Sequence, residues 1–437
     1  MAAAPAAVAS AVFLATVAVI VLRLVDEAVA GLAGALAAVA LVSGYTASRA
    51  FHFIDWDVMA ILLGMWILTG YMTEAGVAEA IVSWVSSRVG EYRVFILSLA
   101  LIAGFVSMFV DNVLVILLFG SIALEAARRA GGNPALAVIL VGLAANYMGT
   151  ALLMGDLPPQ LLHSIAGYEF LDFIWWRGRP GSFIVLTASF LATMAVMYAL
   201  FLRGEPRTPV EPVGAEARVK RGPLAVSASV FAATVAAMAL RPLLGVPLGY
   251  ITLSGAAAMA LAAEAARRLG HEDYPSFEKV ASDVEWRALL FYASLFALVG
   301  SLQYSGALAS LASHLRSLIA GGGARAFAAS YWLAALPSTV VEHDAMLLSL
   351  LYTVRDAAAL AGVDPHPLYW ALAWGATLAS NLTTAAAPAL YVALVIAERG
   401  GRRVGPLEFL RYSSAFVAAG LALTFLVALP LYAPLTH

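Results

Sequence analysis

Eight apolar runs, near residues 5–22, 28–44, 57–75, 182–202, 224–241, 247–265, 287–304 and 411–433, constrain this chain more than any motif does. About 20 apolar residues in a helix span the hydrocarbon core of a bilayer. Unpaired backbone cannot face lipid, so the expected fold class is an all-α polytopic membrane protein. Composition agrees. Of 437 residues, 62% are hydrophobic and 12% are charged, and a mean hydropathy of +0.88 exceeds what a soluble domain hides in its core. Met1 to Pro5 lacks the cationic flank of a secretory signal, so the first run is read as a retained span. A formal charge of -2, without a long Lys/Arg run, argues against nucleic acid and leaves the lipid bilayer and a small ion as the expected partners. Cysteine is absent, which excludes disulfides, thiolate metal sites and cysteine nucleophiles.

Two kinds of region depart from the simple span. Residues 94–128 are too long for one helix, yet each arm around Asp111 and Asn112 is about 16 residues, or about 24 Å. Such arms fit a re-entrant hairpin with its polar tip near mid-membrane; two short spans are the alternative. Residues 326–360 have the same form around Glu342, His343 and Asp344. In the second kind, an apolar helix is interrupted by polar and helix-breaking residues: Asn146, Gly149, Thr150, Gly155, Asp156, Pro158 and Pro159 near 135–160, and Asn381, Thr383, Thr384 and Pro388 near 368–397. A broken helix is tolerated at membrane depth only where protein or a water-filled cavity covers the freed backbone.

These features recur in one order, which predicts an internal repeat. Asp55-Trp56 aligns with Glu285-Trp286, Gly76 with Gly306, Asp111 with Glu342, Gly131 with Gly362, Asn146 with Asn381 and Glu169 with Glu408. Amphipathic stretches at 77–89 and 307–319 suit the membrane interface. The expected organisation is a first repeat at 1–202, a proline-rich cytoplasmic linker at 203–222 and a second repeat at 223–437. Five crossings per repeat make the second copy inverted. Sorting Lys and Arg by face under that scheme places 18 on one side and seven on the other. The richer face is expected to be cytoplasmic, which puts both termini outside a multi-pass plasma-membrane protein.

An ionisable group inside the bilayer costs roughly 2.5 kcal/mol or more on insertion scales, so it marks a transport path or a paired buried site. Asp111 and Asn112 at the first tip, and Glu342, His343 and Asp344 at the second, are therefore candidate ion sites. Histidine titrates near neutrality, which suits proton loading in a transport cycle. Asn112, Asn146 and Asn381 are candidate sodium ligands, since amide and freed backbone oxygens suit a hard cation. Gly149, Thr150, Asp156, Thr383 and Thr384 complete the candidate set. A bland role accompanies each: capping for the carboxylates and amides, back-bonding for the threonines.

Several segments carry a family resemblance: Phe109 to Val113, Asn133-Pro134, Asn146 to Gln160, Ser380 to Thr383, Ile396 to Arg399 and Glu408 to Leu410. Their order and spacing resemble the ion transporter superfamily, in the branch of arsenite permeases and sodium/proton antiporters, with citrate and dicarboxylate symporters further off. The resemblance implies an inverted-repeat transporter, working as a homodimer, whose hairpin tips and broken helices frame the ion and substrate sites. The chain departs from the family pattern at Glu342-His343, where Asp-Asn is common, and at Leu157, Gln160, Leu382, Ala386 and Leu390.

Function is expected to be secondary active transport of a small ion or oxyanion by alternating access, coupled to protons or sodium and needing no other cofactor. A sodium-coupled dicarboxylate or citrate carrier is the alternative; acidic tips disfavour an anion unless a cation neutralises them. An ion channel stands second, because it needs a continuous polar stripe. Enzymatic chemistry is not expected: an intramembrane hydrolase would need a His-Glu-x-x-His or Gly-x-Ser-x-Gly element, and the sequence has neither.

Overall fold

The computed structural model describes residues 3–209, 219–399, 401 and 403–436. The first half of the chain forms α1 (Ala3–Val21), α2 (Glu27–Leu41), α3 (Ala47–Phe53), α4 (Trp56–Glu74), α5 (Val77–Ser86), α6 (Tyr92–Ser107), α7 (Asn112–Ala130), α8 (Pro134–Met148), α9 (Leu157–Ala166) and α10 (Ser182–Leu200). The second forms α11 (Arg221–Ala239), α12 (Arg241–Leu244), α13 (Leu248–Arg268), α14 (Phe277–Ser282), α15 (Trp286–Tyr304), α16 (Ala307–Ile319), α17 (Gly323–Ala335), α18 (His343–Ala361), α19 (His366–Ser380), α20 (Pro388–Glu398) and α21 (Pro406–Tyr432). Apart from the four-residue α12, each element has a counterpart of the same rank in the other half. Among the described residues the fold is all-α except for a two-residue hairpin, β1 (Trp175–Trp176) against β2 (Arg179–Pro180), closed by Arg177 and Gly178 at φ 47° and 77°. No periodicity announces strands that short.

Among the described residues, seven helices are long and apolar enough to cross a membrane, and four shorter apolar ones (α2, α6, α8 and α20) fall below that length. The expected 28–44 span is therefore a 15-residue helix. Both interrupted regions are broken as the breakers predict: α8 stops at Met148 and α9 begins at Leu157, while α19 stops at Ser380 and α20 begins at Pro388. In both cases proline occupies the first turn of the resumed helix, where its missing N–H costs nothing. Gly76 and Gly306 precede α5 and α16 in the left-handed region, which only glycine enters freely. Residues 210–218 of the expected linker lie outside the described residues.

Packing respects the same exchange of halves. α4 lies on α13 as α15 lies on α2; α6 and α7 flank α8 as α17 and α18 flank α19. α9 crosses to α18 and α19, and α20 crosses to α7 and α8, so each short helix seats against the other half. Tight crossings repeat too. A methyl group at Gly34 would stand 2.3 Å from Thr16 Oγ1, and one at Gly255 would stand 2.2 Å from Thr234 Oγ1. Both threonines bond back to their own helix, at Val12 O (2.8 Å) and Val230 O (2.9 Å). Close backbone approach of this kind holds helices together in lipid, where no water-release force acts between them. α8 and α19 are buried on every side from Ala135 to Met148 and from Pro367 to Ser380, which makes them the central pair.

Candidate functional site

The two polar tips begin α7 and α18, and their first acid is a cap. Asp111 Oδ1 accepts from Val113 N (2.9 Å) and Leu114 N (3.4 Å). Glu342 accepts from Asp344 N (3.0 Å) and Ala345 N (2.8 Å). The capping role weighed for Asp111 is thus present, while Asp111 also lines the central cavity. The following residue, Asn112 or His343, is then free to point inward.

Asn112 joins the first half-site. Its Nδ2 donates to Asn146 Oδ1 at 3.1 Å and to Asp156 Oδ2 at 3.2 Å, so residues from the hairpin tip, α8 and the start of α9 meet at one point. Asp156 is buried at 6% exposure, and its Oδ1 accepts from Leu157 N at 2.8 Å. Gly149 approaches Asp156 closely enough that a methyl group there would stand 3.2 Å from its Cβ.

His343 organises the second. Its Nδ1 faces Ala386 O (3.1 Å) in the break before α20 and Glu342 Oε1 (3.3 Å), while Nε2 lies 3.6 Å from Asp344 Oδ1. Glu342, His343 and Asp344 are all buried and each offers a ligand atom within 4.8 Å of the others. His343 Nε2 and Asp344 Oδ1 make no hydrogen bond among the described residues. Asp156 of the first half lies within electrostatic reach of His343 and Glu342, so the two tips share one field.

Polar contacts that the sequence did not mark run both between the halves and within them. Asn146 Nδ2 donates to Ser380 Oγ (3.1 Å), Thr150 Oγ1 to Thr377 Oγ1 (2.9 Å), and Ser182 Oγ to Thr150 O (3.1 Å). Thr383 Oγ1 donates to Thr339 O (2.7 Å), and Thr384 lines the cavity and gives its carbonyl to Arg23. Thr150 and Thr383, each inside a break, therefore bond to another segment instead of back-bonding a helix.

Asn381 departs from its expected place. Its Nδ2 turns back to Thr377 O (3.3 Å), its Oδ1 has no partner, and no hydrogen bond among the described residues joins it to Asn112 or Asn146. Asn146 sits two residues inside the end of α8, whereas Asn381 follows the end of α19 by one, so the sequence alignment of the two asparagines slips within a common break. Asn112 and Asn146 thus meet directly, and Asn381 follows Ser380, to which Asn146 Nδ2 donates.

A cavity of about 770 Å³ collects Asp111, Asn112, Asn146, Asp156, Glu342, His343, Asp344 and Thr384. Toward its mouth stand Arg23, Asp26, Glu27, Glu285, Arg287 and Arg399, with Arg287 paired to Asp26. Arg23 donates to Thr384 O at 2.5 Å and lies 4.6 Å from the Tyr391 ring centre. Sequence reasoning missed Arg23, Tyr292, Tyr391 and Ser380, which acquire their place only through contacts between halves. His163, in the last turn of α9, is likewise buried.

Comparison with known proteins gives the family. An uncharacterized transporter of Mycobacterium tuberculosis is 29% identical over 439 residues, covering 98% of this chain and 99% of its own. A second from that organism is 30% identical over 378 residues, covering 85% of each chain. The human P protein is 24% identical over 92% of this chain, which spans 57% of that larger protein. Among solved structures, the Alcanivorax borkumensis YdaH transporter is similar at a TM-score of 0.56 and 17% identity, over 84% of both chains. MtrF of Neisseria gonorrhoeae is similar at 0.54 and 13%, over 87% of this chain and 83% of its own. Residues 17–375 match the family model described as citrate transporter, and the chain belongs to that family of membrane transporters, not of enzymes.

Proposed function

We propose that this transporter is a gradient-coupled carrier that binds an anionic carboxylate together with neutralising cations in the central cavity and releases both by alternating access. The observation that carries this reading is the joint exposure of both half-sites to one cavity of about 770 Å³, within the range of small-molecule sites. Such a volume suits a citrate-like solute, as the family's description suggests. Seven carboxylates line the same space and would repel such a solute unless protons or sodium entered with it, whereas Arg23, Arg287 and Arg399 draw anions to the mouth. Glu342, His343 and Asp344 suit proton uptake; Asn112, Asn146 and Asp156 offer the oxygen-rich half-site, with sodium the alternative cation there.

A second reading, a small ion carried in the manner of an antiporter, draws on the acidic surroundings of both tips, which repel an anion. Under either reading the halves are inverted repeats at 1–202 and 223–437, with hairpins near 94–128 and 326–360 and broken helices near 135–160 and 368–397. The cavity mouth, with Arg23 and Arg287, faces the cytoplasm by charge bias, and the chain works as a homodimer in the plasma membrane. Reconstitution into liposomes tests the function. Uptake of citrate, succinate, arsenite and sodium is followed under imposed pH and sodium gradients; saturable, gradient-driven citrate uptake is expected. Gradient-independent flux at channel-like rates overturns the carrier.

A further inference from the structure

One polar stripe has no part in the open cavity beyond its first member. Asp156, Gln160 and His163 lie one helical turn apart along α9 and are buried, at 6%, 1% and 7% exposure. Gln160 Oε1 has no hydrogen-bond partner among the described residues, and a small pocket of about 10 Å³, lined by Thr69, Asp111, Asp156, Gln160 and Tyr292, lies between it and the half-site. That volume holds about one water. Farther along, His163 Nδ1 meets Tyr168 O (2.6 Å), and Nε2 lies 3.9 Å from Asp57 Oδ2, a carboxylate 32% exposed. The stripe thus joins the central acid to a surface.

That surface is not the one onto which the cavity opens. Asp26 pairs with Arg287 at the start of α15, whereas Arg49 meets Tyr304 at its end. Asp55 and Asp57, a few residues past Arg49, therefore stand one helix length away from the mouth. Contacts close this end: Asp57 Oδ1 accepts from Gly249 N at 2.9 Å, and Asp55 Oδ2 from Ser164 Oγ. The other half supplies the second observation. Counting from the first residues of α9 and α20, the counterparts of Asp156, Gln160 and His163 are Ala387, Tyr391 and Leu394. Ala387 and Tyr391 line the open cavity. A face that walls the open route in one half walls the closed route in the other.

We propose that the α9 face bearing Asp156, Gln160 and His163 is the wall of a second access route, closed in this conformation, through which water and the coupling cation reach Asp156 from the Asp57 side. The route presupposes the carrier function, and a chain without cysteine allows the two to be separated. Single cysteines at Gln160, His163 and, as a cavity control, Leu117 are exposed in sided vesicles to a small cationic methanethiosulfonate. Leu117→Cys is expected to react from the Arg23 side, and Gln160→Cys at least tenfold faster from the Asp57 side than from the Arg23 side; His163→Cys repeats the test where Gln160→Cys fails to insert. Reaction of Leu117→Cys alone overturns the route and leaves the carrier intact. A Leu117→Cys protein that reacts from neither side removes the open cavity, and the carrier reading with it.

Discussion

Replacing Asp111 by Asn separates its two roles. As a cap, Asp111 accepts two backbone N–H groups of α7 through one oxygen. Asn caps about as well as Asp, so Asp111→Asn costs a few tenths of a kcal/mol, whereas Asp111→Ala costs about 0.5–2 kcal/mol. As a cavity carboxylate, it supplies charge that an amide lacks. A hydrogen bond to a charged group is worth about 1.5–3 kcal/mol, which at about 1.4 kcal/mol per decade becomes a roughly 10- to 150-fold loss of cation affinity. Thermal unfolding in detergent and gradient-driven uptake in liposomes read the two effects. Asp111→Asn is expected to unfold with the parent while its half-saturating cation concentration rises by that factor; Asp111→Ala loses stability as well. An Asn variant with unchanged cation dependence refutes the coupling role and leaves Asp111 as a cap.

Coupling between the halves is measurable at Asn146 and Ser380, whose side chains meet at 3.1 Å: a double-mutant cycle with Asn146→Ala and Ser380→Ala should return about 0.5–1.5 kcal/mol of interaction in chemical unfolding. Gly155→Ala should destabilise by about 1–3 kcal/mol, because its methyl would stand 2.4 Å from Gly149 O and 2.7 Å from Ser107 O; an unchanged melting temperature contradicts the close crossing. Outside the membrane, burial pushes the Asp364 carboxyl up, but hydrogen bonds from the His366 backbone and ring and from Arg177 outweigh it and hold it below its ordinary range. Its contribution to stability is present above the ordinary carboxylate value and lost as pH falls through the lower folded one. Melting temperature should therefore drop below about pH 4, and Asp364→Asn should flatten that drop.

Much of the fold was legible because membranes punish exceptions. Asp111, Glu342 and the prolines at 158, 159 and 388 stand out against apolar runs, and each marks a helix start or break in the structure. The site was legible only locally. Asn112, Asn146 and Asp156 lie within 45 residues of chain and converge through one hairpin and one break. Asn381 matches Asn146 by residue type, while the helix ends set the two at different points of their breaks. Arg23 and Tyr391, more than 360 residues apart, meet only after the halves pack. His163 and Gln160 look ordinary in sequence, since burial of α9 between α4, α18 and α19 is a tertiary fact.

Accumulation at static head tests coupled transport most directly. Liposomes containing the protein are given a tenfold inward gradient of protons or sodium, and internal citrate is measured once net uptake stops. An electroneutral coupled cycle should hold citrate about tenfold above the outside concentration for each cation moved. Equal concentrations on both sides, reached at any rate, contradict the account.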